Sequence, residues 1–233
     1  MDLKKAGRLG VGLSLAGVAG IMFMHWVVFF WAPTESTMGI IQRINYVHVP
    51  MAWITELAFG LTAFASVIYL WLGDDRADAA AVAAAEGGMY FCVALLIAGS
   101  LWGRVAWGTF WTWDARLTFT LLLWFIFLGY FLVRRSTSNP HQGRRLGAVV
   151  AIIGGLDIPL IHMSVYWFPT LHPEPVYLRP DGPTADSAFV ITLIVAFFAY
   201  TLLFLGLLSL RYGVEVAERE WVLRSTRLNR ATS

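Results

Sequence analysis

The chain is short of charge. Asp, Glu, Lys and Arg make up 14% of its 233 residues, against about 25% in a soluble domain, which excludes an ordinary water-soluble enzyme. A disordered chain would have few aromatics, yet 15% of these residues are aromatic. The single cysteine, Cys92, leaves no disulfide framework, no CxxC redox pair and no cysteine-based zinc or iron–sulfur site. A net charge of +2 argues against strong nucleic-acid binding. The alternating segments of about ten residues that build a membrane barrel are missing. No internal repeat supports an inverted-repeat transporter. The loops between apolar runs hold no P-loop and no nucleotide fingerprint.

What the chain does have is 58% hydrophobic residues, gathered into long runs. A membrane-spanning helix needs about 20 apolar residues. Six runs come close: Leu9 to Trp31, Tyr46 to Leu72, Ala85 to Trp102, Leu117 to Val133, Leu146 to Trp167 and Ala188 to Leu210. The expected fold is therefore an all-α membrane protein of six transmembrane helices in a single domain spanning 1–233. The first run starts basic but is longer than a signal h-region, so it is read as retained. Of the 17 Lys and Arg, only Arg43, Arg104, Arg116 and Arg179 fall in the loops on one side, leaving 13 for the other. The positive-inside rule then makes both termini cytoplasmic. The outward loops are Ala32 to Asn45, Gly103 to Arg116 and Phe168 to Ser187. The Arg134, Arg135, Arg144 and Arg145 pairs and the Arg-studded tail read mostly as topology signals and lipid contacts.

Four of the 11 tryptophans, Trp102, Trp107, Trp111 and Trp113, crowd into one outward stretch, bracketed by Arg104, Asp114 and Arg116. Interfacial enrichment explains one or two tryptophans per helix end, not four. If the stretch of about 103–118 is helical, Trp107, Trp111 and Asp114 share a face. Gly103 and Gly108 weaken such a helix but admit a large flat object. Haem suits the composition: a macrocycle to stack on indoles and two propionates for Arg104 or Arg116.

These residues also carry a resemblance. WGTFWTWDARLT, Trp107 to Thr118, resembles the WWD signature of the haem-handling membrane proteins of cytochrome c maturation. YVHVP at Tyr46 to Pro50, LIHMSVYWF at Leu160 to Phe168 and TLHPE at Thr170 to Glu174 fit the same family. Length and span number resemble its short branch, the haem exporter C (CcmC) proteins.

Five histidines are candidates for the iron. His48 and His172 lie on the same outer face as the tryptophans and come from different loops. One imidazole could thus stand on each side of a flat macrocycle. The resemblance implies that these two are the axial ligands. His25 and His162 lie within spans, where an ionisable residue is a functional candidate; His162 suits a bond to a neighbouring helix or support beneath the haem. His141 reads as a solvated loop residue. Glu56 and Asp157 lie inside spans two and five and must face the bundle, paired or protonated.

The resemblance further implies a haem-transfer component of the bacterial inner membrane rather than an enzyme. It would hold haem b (iron protoporphyrin IX) on the periplasmic face and deliver it to the haem chaperone CcmE. Its other partners would be the ABC-transporter-like subunits CcmA and CcmB, the small subunit CcmD and the lipid bilayer. A bis-histidine b-type cytochrome subunit is the competing function, although such haems usually sit deeper, held by rigid helices. A small-molecule permease would need discontinuous spans and a polar cavity, for which Glu56, Asp157 and His25 are too few.

Overall fold

A computed structural model describes residues 3–172, 180–182 and 184–232. Among them there are six helices and no strand: α1 (Leu3–Trp26), α2 (Asn45–Leu72), α3 (Asp75–Trp107), α4 (Ala115–Arg135), α5 (Pro140–Trp167) and α6 (Ser187–Thr232). A π-helical turn, Val27–Trp31, extends α1, and a 3-10 turn, Ile40–Ile44, leads into α2. All six are long and apolar enough to cross a membrane. Arg179, Pro173, Glu174 and Pro175 lie outside the described residues.

The helix ends follow from local chemistry. Gly73, at φ +68°, closes α2 in the left-handed conformation that glycine tolerates. Asp74 then caps α3 by accepting from the Arg76 amide. Asn139 caps α5 through the His141 and Gln142 amides, with Pro140 at the first helical position. His141 is thus part of a helix start, and it is exposed.

Two helices outrun the apolar windows furthest. α3 begins ten residues before Ala85, because its alanine-rich start is weakly apolar but strongly helical. α6 has 46 residues, a length of about 69 Å at 1.5 Å per residue, against a hydrocarbon core of roughly 30 Å. Beyond Leu210 it is laced by i,i+4 ion pairs, Arg211–Glu215 at 3.0 Å and Arg219–Glu215 at 2.8 Å.

Lipid supplies no hydrophobic drive for helices to associate, so close packing and polar bonds must do it. Along α1, Gly10 meets Leu210 and, further on, Gly17 meets Leu203, so α1 and α6 run antiparallel. A Cβ on Gly17 would strike the Leu203 backbone. α2 is central and packs on α3, α5 and α6. Phe59 of α2 stacks on Phe127 of α4 with centroids 3.9 Å apart. Cys92 is buried among apolar neighbours in the same cluster.

At the end of the bundle where α2 turns into α3, an ionic clasp ties four helices. Asp78 of α3, with its side chain 2% exposed, receives Arg134 of α4 at 2.6 and 2.9 Å and Arg219 of α6 at 2.7 Å. Arg144 of α5 reaches Asp75 at 2.8 Å. Arg211 pairs with Glu86 at 2.5 Å. Arg134, Arg144, Arg211 and Arg219 therefore hold helices together rather than serving mainly as lipid contacts, while Arg135 and Arg145 stay exposed.

Removing one member of a buried ion pair leaves the other charge uncompensated, at about 3–5 kcal/mol. Asp78→Asn is expected to lower unfolding stability by about 3 kcal/mol. Thermal unfolding followed by tryptophan fluorescence measures it, and an unchanged midpoint would show that the clasp contributes little.

Candidate functional site

The tryptophan-rich segment lies at the opposite end of the bundle. α3 stops at Trp107 because Gly108 takes φ +79°, and Arg104 folds back to donate to the Gly108 carbonyl. The helix face uniting Trp107, Trp111 and Asp114 therefore does not form: Gly108 to Asp114 is an irregular loop. Within it Thr109 Oγ1 donates to the Trp111 carbonyl at 3.0 Å. Trp111 and Trp113 meet edge to face at 5.8 Å, and Trp113 is 77% exposed. Arg104 lies over the Phe110 ring at 5.6 Å.

Asp114 organises this end. Its carboxylate caps α4 by accepting from the Arg116 amide at 2.9 Å. It also reaches the segment after α5, accepting from Thr170 Oγ1 and, at 2.9 Å, from the Leu171 amide. A fourth donor is His172 Nδ1, at 3.2 Å. A carboxylate of this kind can only accept, so Nδ1 carries the proton and Nε2 keeps its lone pair. The Trp107 indole meets the His172 ring edge to face at 5.1 Å. Trp107 and Asp114 are thus brought together through His172 rather than through helical spacing.

Burial pulls the Asp114 carboxyl upward, but the bonds from Thr170 and the Leu171 amide, the His172 ring and the Arg116 amide outweigh it and hold it below its ordinary value. Burial pushes the His172 imidazole below its ordinary value; Asp114 opposes the shift and the Arg116 charge adds to it. Near neutral pH the pair is therefore a carboxylate and a neutral imidazole able to act as a ligand.

His48 approaches from the first turn of α2. Its ring packs edge to face on Trp102 at 5.6 Å and covers Gly99, where a Cβ would collide with it. The Trp102 and Trp107 rings that pack on His48 and His172 both stand near the end of α3, which puts the two imidazoles at the same end of the bundle. His162 of α5 bonds Glu56 of α2 through Nε2 at 2.9 Å, the bond to a neighbouring helix expected from its depth. Asp157 is buried with Oδ2 unpartnered.

Several buried polar atoms at this end have no protein partner: Arg116 Nε, Trp102 Nε1, His48 Nδ1 and Thr112 Oγ1. Buried polar atoms are normally paired, so water or a ligand completes these. Among the described residues no group of three or more His, Cys, Asp or Glu could hold a bare metal ion. Two imidazoles, indoles and a free guanidinium suit an iron that brings its own equatorial nitrogens and anionic edges. Thr170 and Leu171 are the site residues that sequence reasoning missed, since nothing local marks a threonine as the partner of an aspartate 56 positions away.

Comparison with known proteins gives a consistent result. The family described as "Heme exporter protein C" matches residues 3–227. "Heme exporter protein C" of Bradyrhizobium diazoefficiens is 40% identical over 176 residues, 76% of this chain and 67% of the relative. That of Haemophilus influenzae is 33% identical over 218 residues, 92% of this chain and 84% of the relative. A "Putative cytochrome c biosynthesis ccmC-like mitochondrial protein" of Marchantia polymorpha is 34% identical over 169 residues, 72% of this chain and 71% of the relative.

Asp114 carries a sign-definite pH dependence. A carboxyl held below its ordinary value stabilises the fold above the unfolded pKa of about 4 and loses that contribution as pH falls through the folded value. The tether of Thr170 to His172 is therefore expected to stay intact from about pH 5 to 8. In Asp114→Ala the Leu171 amide should exchange hydrogen roughly ten- to a hundredfold faster, as loss of bonds to a charged group implies. Hydrogen–deuterium exchange reads this directly, and unaltered Leu171 protection would show that Asp114 does not hold the loop.

Proposed function

The chain belongs to the heme exporter protein C family, multi-pass membrane components of haem handling in cytochrome c maturation, and we propose that it presents haem b at its tryptophan-rich end for transfer to the chaperone CcmE. The observation that carries this reading is the Asp114–His172 bond, which fixes the tautomer and leaves Nε2 free beside Trp107. Metal-binding histidines are commonly oriented in this way by a carboxylate.

His172 and His48 are the axial ligands on this reading. Trp102, Trp107, Trp111 and Trp113 flank the macrocycle, and Arg116, with an unpartnered Nε, takes a propionate. Arg104, half committed to the Gly108 carbonyl, is the second anion partner. Asp114 is a positioning residue that does not touch the iron. The chain makes no bond of its own: it orients haem so that an edge stays open to CcmE, an open edge supported by the exposure of Trp113. With 13 of 17 basic residues at the other end, the haem end faces the periplasm across the bacterial inner membrane and both termini face the cytoplasm. CcmA, CcmB and CcmD are the partners within the membrane complex.

Optical spectra of the purified protein test the assignment. His48→Ala and His172→Ala are each expected to abolish the low-spin spectrum, whereas His141→Ala leaves it intact. Each stacked tryptophan contributes about 0.5–1.5 kcal/mol beyond burial, so Trp107→Ala is expected to weaken haem retention by about 2- to 10-fold. Combining it with Trp111→Ala and Asp114→Ala is expected to stop haem loading of CcmE at normal protein abundance. An unchanged low-spin spectrum in both histidine variants would refute the ligands. Full CcmE loading by the triple variant would refute the transfer role, and loss of quinol-linked electron transfer instead would favour a b-type cytochrome.

A further inference from the structure

α5 and α6 both pack on α2 but scarcely on each other. Between them a stripe of α2 is left facing outward. It holds Trp53, Glu56, Gly60 and Phe64, three or four residues apart and so on one side of the helix. The stripe itself contacts both walls of this groove. Trp53 leans to α6, donating to Thr201 Oγ1 at 3.2 Å and meeting Phe197 edge to face. Glu56 leans to α5, where it bonds His162. Gly60 keeps the floor low: a Cβ there would meet only Ile158 Cδ1, at 3.9 Å. Phe64 is 64% exposed.

The groove is polar at a depth where lipid is not. α2 has 28 residues, a length of about 42 Å, and Glu56 lies about 16 Å from its outer end. A hydrocarbon core of roughly 30 Å therefore contains Glu56 wherever along the helix that core sits. The bonded His162 shares this depth, and its side chain is 57% exposed. Only one carboxyl oxygen of Glu56 is used. Among the described residues nothing bonds Oε1, and that oxygen accepts whether the group is a carboxylate or an acid. An ionisable group so deep is costly unless it is paired or faces protein, and an acyl chain has no donor to give it. The outward stripe of α4, with Leu122, Phe125 and Leu132 exposed, is by contrast purely apolar and needs only lipid.

We propose that the groove seats one membrane-spanning helix of a partner subunit, which passes close over Gly60 and places a hydrogen-bond donor on Glu56 Oε1. The proposal rests on the reading of the chain as a component of a membrane complex and adds the surface that receives a partner. Close approach at a small residue and a polar bond between helices are what associate helices in lipid, and one face of α2 supplies both. Complementarity to an acceptor calls for Lys, Arg, Asn, Gln, Ser or Thr on the incoming helix. A second copy of this chain, docked by the same stripe, would set acceptor against acceptor. Haem would bring anionic propionates to an oxygen that cannot serve them.

The test is photo-crosslinking in the assembled complex. The full chain carries p-benzoylphenylalanine in place of Phe64, is co-expressed with the other subunits and is irradiated in the membrane. Mass spectrometry identifies the adduct. The expected adduct is a membrane-spanning segment of another subunit with one of those donors about 12 Å away along the helix, the rise between Phe64 and Glu56. The same probe at Leu132 should yield phospholipid adducts alone. Gly60→Leu fills the floor and should abolish the protein adduct while keeping the low-spin haem spectrum, which shows that the variant is folded; if it does not insert, Gly60→Val carries the same test. Glu56→Ala should lower the adduct yield about 3- to 30-fold, the range for polar bonds between helices in lipid, and Glu56→Gln, which keeps an acceptor, should lower it less. A phospholipid adduct alone at Phe64, a crosslink to a second copy of the chain, or a partner segment without such a donor would overturn the proposal. So would a protein adduct indifferent to Gly60→Leu, or loss of the low-spin spectrum in Glu56→Gln, which would put the pair in the service of the haem. The expected adduct in a wild-type protein without any low-spin band would instead sink the haem ligands and leave this groove standing.

Discussion

Asp114 accepts from the Arg116 amide, Thr170 Oγ1, the Leu171 amide and His172 Nδ1. A buried carboxylate is costly unless its lone pairs are occupied, so these donors are demanded by the charge as much as they are held by it. Through that one group the start of α4 and the segment after α5 become a single surface. The His172 tautomer is set there as well. Trp107, at the last turn of α3, completes the surface by packing on the ring so oriented.

The other end of the bundle uses the same device. Asp78 gathers Arg134 and Arg219 from two further helices, as Asp114 gathers donors from two segments. Between the two carboxylates the helices meet through small residues and stacked aromatics, as expected where lipid competes equally for apolar surface. The partners differ in kind: Asp78 is met by guanidinium groups, Asp114 by two amides, a hydroxyl and an imidazole.

The six spans were legible in the sequence because long charge-poor runs have few other fates. The beginning of α3 was not, since alanine-rich helix is strongly helical without being strongly apolar. Nor was the continuation of α6 past Leu210, which depends on i,i+4 ion pairs rather than hydropathy. That His48 and His172 share the tryptophan-rich end could be read from their two loops on one face. Arg134 and Arg144 were misjudged because their carboxylates lie in α3, far away in sequence, and basic residues beside a span resemble topology signals in any chain. In the tryptophan segment Gly108 was noted as a weak point, and it does end the helix. Asp114 could have been recognised as a helix cap from its place before Ala115 and Arg116, but its bonds to Thr170 and Leu171 are purely tertiary.

In the proposed function a carboxylate-oriented His172 and a Trp102-packed His48 clasp one haem at the tryptophan-rich end. An electron cryo-microscopy map of the haem-loaded protein in a lipid disc tests it most directly. The expected map places one iron between the two imidazoles, with Asp114 still bonded to His172 Nδ1 and Arg116 on a propionate. A map in which that iron is bound by neither histidine, or in which His172 turns Nδ1 towards the metal and releases Asp114, would contradict the account.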